Sequence, residues 1–412
     1  MTENGFRDFS VDNASILFLS LIRPYHTNNF RFSAVLHNPV SPEALQEAVN
    51  RIHPRFPSVL AGFRQDFRHY RQIPAQSPPL VQPDPGLLKP MTPEELRNCC
   101  FRVYYKDCTI SIELFHALTD GAGAIAVLTA LVGEYLKIAC PDEVPAEPLG
   151  EPQAYEVTDS FLEMSDASPR RLPSRFSYLL PRTADADWQV RGSSLSLKTQ
   201  FLLDAAHSYG VTLNTLLTAV MAQSIMQIQT AQKGAEGLKP VRIMAPINLR
   251  KTAGSRTLRN FSLYALPTVE PAQRDYSLPQ LCDLISGQLQ QQFSPDFQRS
   301  MVSSNVRIQN SWFFRMLPWK LKSAALRIGY HFFGESNSSL TLTNLGVVRL
   351  SEAMAPHLAD FQCWMTPRVS SPYGCTILSF GDTITLNISR FCPEDQLGAV
   401  FFKNLRAVID GH

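Results

Sequence analysis

Along the first 140 residues the apolar positions switch between two periods. "NNFRFSAVLHN", residues 28 to 38, alternates apolar and polar and predicts a strand. "SPEALQEAVNRIHPRFP" follows, with Ala44, Leu45, Ala48, Val49 and Ile52 on one helical face. Ser41 suits the N-cap, Pro42 the first helical position, and Pro54 stops the helix. "TPEELRNC" repeats the start signal, with Thr92 and Glu95 spaced for a capping box. "FRVYYKD" and "TISIELFHA" predict a hairpin turning around Lys106 to Cys108, and "GAGAIAVLTALVGEYLKIA" a buried helix.

The second half repeats the alternation. "SLKTQFLLDAAHSYG" and "TLNTLLTAVMAQSIMQIQTAQ" predict helices, the first closed by Gly210 and the second capped near Thr212. "PVRIMAPINLR" and "LRNFSLYALPTVEP" predict strands. "SLPQLCDLISGQLQQQF" carries a capping box from Ser277 to Gln280. A long helical region then gives way to four strand-like runs, "SSLTLTNLGVVRL", "CWMTPRV", "GCTILSF" and "TITLNISRF", and a closing amphipathic helix. Between the halves, residues 142 to 166 hold eight acidic residues and no lysine or arginine, which predicts a surface linker. The expected class is therefore α+β with two lobes, residues 1–180 and 181–412.

Composition narrows the function. Hydrophobic residues make up 44% of the chain and the formal net charge is +2, so a core is available and no basic excess points to nucleic acid. The start of the chain has no basic segment leading into an apolar one. The most apolar run, residues 121 to 133, is shorter than the roughly 20 residues of a membrane span. These features predict a cytoplasmic protein. The eight cysteines, at 99, 100, 108, 140, 282, 363, 375 and 392, form no Cys-x-x-Cys pair and read as reduced thiols rather than a zinc or disulfide framework.

The candidate chemistry lies in "ELFHALTDGAG", residues 113 to 123. His116 ends a strand-like run, Asp120 follows one turn later, and Gly121 opens the apolar helix. Histidine can take and return a proton near neutral pH, and a strand end holds such a group rigidly. On these residues alone His116 reads as a general base, or as a histidine satisfied at a strand end with Asp120 as a helix N-cap. A metal pair is the weakest reading, since no further ligand cluster accompanies it.

Two downstream stretches, "MAPINLRKTAGSRTLRNFSLY" and "LTLTNLGVV", accompany His-x-x-x-Asp-Gly in order and spacing. Together the three resemble the CoA-dependent acyltransferase superfamily, which includes chloramphenicol acetyltransferase and peptide-synthetase condensation domains. The likeness is strongest to its bacterial alcohol acetyltransferase-like branch. It implies two chloramphenicol-acetyltransferase-like lobes in a V with an interlobe tunnel, and a segment near 335–350 that crosses back to the first lobe. It implies that His116 deprotonates an acceptor hydroxyl, which attacks an acyl-CoA or phosphopantetheine thioester without an acyl-enzyme, and that no cofactor or metal is bound. It also implies that Asp120 pairs with Arg250, that Gly121 permits a turn, and that Thr343 and Asn344 stand near the reacting carbonyl. Amide-forming condensation on an acyl carrier protein, or non-catalytic binding on the same fold, are the alternatives. Phe115 occupies the place of the second histidine usual in condensation domains, and Thr343 that of a family serine.

Two further clusters need placing. Arg250, Lys251, Arg256 and Arg259 read as a basic tip. Residues 311–333, "SWFFRMLPWKLKSAALRIGYHFF", interleave aromatics with basic side chains and should be divided at Pro318. They read as a packed helix pair, or as a surface for peripheral membrane contact, an apolar lipid-like acceptor, or the phosphates of CoA or a carrier protein.

Overall fold

The computed structural model describes residues 8–165, 168–169, 176–182, 187–234 and 237–411. Two sheets carry the fold. The first has the order β13-β2-β7-β6-β5, from β2 (Asn29–Leu36), β5 (Val81–Pro83), β6 (Phe101–Lys106), β7 (Thr109–Phe115) and β13 (Leu358–Met365). The second runs β10-β9-β12-β14-β15-β8, from β8 (Arg191–Lys198), β9 (Val241–Asn248), β10 (Ser262–Ala265), β12 (Leu340–Val348), β14 (Tyr373–Phe380) and β15 (Thr383–Arg390), with β11 (Thr268–Val269) also on β9. A small third sheet joins β1 (Phe9–Ser10), β3 (Ala61–Gln65) and β4 (Tyr70–Pro74).

The local signals act as their chemistry requires. Ser41 and Thr212 accept the backbone N–H groups of Ala44 and Thr215, and Thr92 with Glu95 forms a reciprocal capping box. On β2 the alternation sends Phe30, Phe32, Ala34 and Leu36 into the first core. The opposite face is buried as well. Arg31 pairs with Glu113 and Asp84, Arg102 pairs with Glu113 and Glu95, and the two arginines also donate to the carbonyls of Gly86, Lys89 and Pro90. A row of charges thus fixes the segment that covers this face, because a buried carboxylate is tolerated only when paired.

Several expectations are corrected. "SLKTQFLL" is divided between β8 and a helix, since the strand runs to Lys198 and the helix starts at Thr199. The lobes do not divide at residue 180: Val144 lies in the first core, whereas Phe161, Met164, Tyr178 and Leu180 lie in the second. The strand that crosses into the first sheet is β13, beside β2, and not the segment 335–350. β12 stays in the second sheet, parallel to β9 and β14, and only its end reaches the first core, through Leu345 and Val348. The helix Gly121–Ala139 has 19 residues and is long and apolar enough to span a membrane, yet Val127, Leu128, Leu131 and Val132 along it are packed in the first core.

The two lobes meet along a seam. Leu88 of the first packs with Val190, Trp364 and Phe391. Thr376 and Asn387 of the second sheet both donate to the Cys363 carbonyl of β13.

Candidate active site

His116 follows β7 directly, with its N–H donating to the Asn28 carbonyl. The ring stacks on Phe18, with centroids 4.3 Å apart, and Phe30 meets it edge-on at 4.8 Å. Phe18 is delivered by the helix Asn13–Ser20, whose Ser15 hydroxyl donates to the Ala117 carbonyl at 2.6 Å. Asn260, in the second lobe, makes two hydrogen bonds to His116. Its Nδ2 donates to the His116 carbonyl at 2.9 Å, which turns its Oδ1 toward the ring, 3.2 Å from Nδ1. A carboxamide oxygen only accepts, so Nδ1 must carry the proton and Nε2 keeps its lone pair. Burial holds the imidazole below its ordinary pKa, opposed by the Asp120 carboxylate and the Asn260 hydrogen bond. The ring is therefore neutral and basic near pH 7, and the residue is only partly buried.

Asp120 serves the seam. Its Oδ1 accepts from the N–H groups of Ala122 and Gly123, capping the helix, and its Oδ2 from Phe261 N–H at 2.9 Å. The Arg250 guanidinium spans both oxygens, each contact 2.9 Å, and reaches the carbonyls of Thr257 and Arg259. One carboxylate thus ties the histidine loop to the segment 250–261, which carries Asn260.

The basic tip of the sequence reading separates into two kinds of arginine. Arg250 and Arg259 turn inward, whereas Arg256 lies exposed over the Tyr155 ring at 3.9 Å. Arg259 is buried against Asp12, 3.5 Å away, and donates to the carbonyls of Ser10 and Val157. Burial raises the Asp12 pKa and pushes the neighbouring Asp159 up to about 6.

Gly121 has a different role from the one expected. It is not in the left-handed region, so no turn depends on it; a Cβ there would strike the Leu345 side chain from β12. Gly123 is tighter, since its Cβ would meet the Leu258 carbonyl and the Thr119 hydroxyl. Gly121→Ala should cost about 1 kcal/mol in thermal or denaturant unfolding and be relieved by Leu345→Ala, because a side-chain end can move. Gly123→Ala should cost more and gain nothing from Leu345→Ala, because a backbone carbonyl cannot yield. Equal effects at the two glycines would refute this packing.

Thr343 and Asn344 are adjacent in β12 and so face opposite sides of the sheet. Thr343 lies in register with Thr376 of β14, whose hydroxyl turns to the Cys363 carbonyl of β13, and Leu345 further along the strand meets Gly121. Asn344 accepts from Gly346 N–H at 3.0 Å beside the irregularity between Asn344 and Val347. Among the described residues neither is hydrogen-bonded to His116. Sequence reasoning missed Asn260, Phe18 and the Asp12–Arg259 contact. Asn260 stood in the "TLRNF" string, but nothing marked it as a partner of His116. A cavity of about 280 Å³ lined by Phe176, Tyr178, Gln232 and Lys239 shares no residue with this cluster.

The fold is that of the CoA-dependent acyltransferases and condensation domains. By sequence, the chain matches no family model and no curated protein. By structure, it is similar to polyketide synthase associated protein 5 from Mycobacterium tuberculosis, at 13% identity and a TM-score of 0.60, covering 98% of this chain and 97% of that one. TRI101 of F. sporotrichioides, solved with coenzyme A and T-2, gives 13% identity and a TM-score of 0.66 over 96% and 97% of the two chains. The starter condensation domain of rhizomide synthetase RzmA, in complex with C8-CoA and Leu-SNAC, gives 13% identity and a TM-score of 0.64 over 98% and 94%.

Proposed function

We propose that the protein is an acyltransferase that moves an acyl group from a thioester to an acceptor hydroxyl, with His116 as general base. The observation that carries this reading is the Asn260 clamp: it leaves Nε2 unprotonated on a ring that sits at the seam between the lobes. The acceptor O–H gives its proton to Nε2 as its oxygen attacks the thioester carbonyl. The tetrahedral intermediate then expels the thiolate, which takes the proton from the imidazolium, so the base is regenerated and no acyl-enzyme forms. Thr343 is assigned to the oxyanion, a contribution worth roughly 3 kcal/mol where such a donor is well aimed. Asp120 and Arg250 hold the two lobes in register and take no part in proton transfer.

Two structural neighbours were solved with CoA or an acyl-CoA, which supports a CoA or pantetheine thioester as donor. The test is thiol release from a short and a long acyl-CoA in the presence of mixed alcohols and amines. Release should depend on the acceptor and fall about 10²- to 10⁴-fold in His116→Ala. Folded wild-type protein that releases no more thiol than the variant, with acyl-CoA and with acyl-pantetheinyl carrier protein alike, would leave a non-catalytic binding protein on this fold.

A further inference from the structure

We propose that the face built by the helices Trp312–Met316 and Trp319–Tyr330 and the β3–β4 hairpin tip docks on a bilayer surface that carries anionic lipids. The first observation is apolar exposure. Trp312 is 75% exposed and Phe67, on the hairpin tip, 73%; Phe313, Met316 and Leu321 are exposed with them. A helix of five residues that turns a tryptophan and a phenylalanine to solvent gains nothing from them in the fold, so their exposure points to another apolar phase.

The second observation joins the two segments. Trp319 N–H donates to the Phe67 carbonyl at 3.0 Å, and the Trp319 indole packs edge-on against Tyr70. Lys322 is buried. Its ammonium donates to the carbonyls of Arg68 and Arg315, at 3.0 and 3.1 Å. The hairpin tip and the helix pair therefore form one platform, although some 250 residues separate them in the chain.

The third observation is charge. From Phe297 to Gly334 the chain has six basic residues and no acid. Arg315, Lys320 and, on the hairpin, Arg68 are exposed beside the apolar side chains. The acid at the tip, Asp66, accepts the N–H groups of Arg68 and His69. Basic side chains around projecting aromatic rings match the headgroup boundary of an anionic membrane, where the rings enter the interface and the cations meet lipid phosphates. A second copy of the chain would bring the same positive charge against itself, which disfavours self-association through this face.

The test uses the full chain and measures flotation with vesicles of phosphatidylcholine alone or mixed with phosphatidylglycerol. It does not depend on the acyl-transfer reading. Wild type should float with the mixed vesicles and far less with the neutral ones. Two double variants, Trp312→Ser with Phe313→Ser, and Arg315→Glu with Lys320→Glu, should each lose at least about tenfold in partitioning. All four positions are exposed, so thermal unfolding should be unchanged and losses report on docking. Wild type that stays in the dense fraction, or binding that neither variant weakens, would overturn the proposal. Equal binding to both vesicle types would overturn its anionic part. Self-association abolished by the Trp312→Ser and Phe313→Ser variant, without lipid binding, would assign the face to a second copy.

Discussion

Asn260→Leu is expected to lower kcat of the proposed transfer by about 10²-fold, with KM for the thioester nearly unchanged. Leucine keeps much of the volume but supplies no acceptor for Nδ1–H. The imidazole then divides between its two tautomers and loses the bond that aims it, while substrate contacts elsewhere persist. Asn260→Asp is the informative companion. A carboxylate accepts from Nδ1–H and stabilises the imidazolium, so it should preserve the tautomer and raise the imidazole pKa. In wild type, burial lowers that pKa, so the rising limb of the pH–rate profile should have its midpoint below the ordinary imidazole value of about 6.5. Asn260→Asp should shift the limb to higher pH. The same depression has a stability consequence: between the lowered folded pKa and about 6.5 the unfolded state binds more protons, so stability rises with pH across that window and is lost as pH falls through it. A merely structural Asn260 would lower the melting temperature in both variants and leave the limb in place. Unchanged kcat in folded Asn260→Leu would remove the tautomer argument.

What was legible in the sequence was local. Ser41, Thr92 and Thr212 announced their helices because a cap acts within three residues, and His116 stood out because a strand end, an acid and a glycine fell in one short string. What was not legible depended on distant partners. Asn260 reaches His116 across 144 positions, and no periodicity encodes that bond. Arg256 and Arg259 are the same residue type three positions apart, yet one is exposed and the other buried, and the difference is Asp12, far up the chain. Choice of sheet was hidden for the same reason. The strings around β12 and β13 both read as strands, and only the pairing of β13 with β2 separates them. In β8, "RGSSLSLK", Leu195 and Leu197 are the only apolar side chains, too few to mark a strand before a helix begins.

Arg250→Ala should reduce unfolding free energy by about 3 kcal/mol, the scale of breaking one partner from a buried ion pair. The cost comes from what remains. Asp120 keeps its N–H donors from Ala122, Gly123 and Phe261 but loses the guanidinium that balances its charge, and the carbonyls of Thr257 and Arg259 lose a donor. Arg250→Lys should recover little, because an ammonium cannot span both carboxylate oxygens and the two carbonyls together. Asp120→Ala should cost a comparable amount, and the double variant less than the sum, since removing both partners leaves no unpaired charge. Additive losses in that cycle would dissolve the pair as an energetic unit. The rate should fall with the stability, because residues 257 to 261 are held by Arg250 and carry Asn260. A loosened segment then releases the histidine clamp even though Arg250 never meets the proton being moved. Full stability with a lost rate would instead put Arg250 into the chemistry, and full rate with lost stability would separate the register of the lobes from the aim of the base.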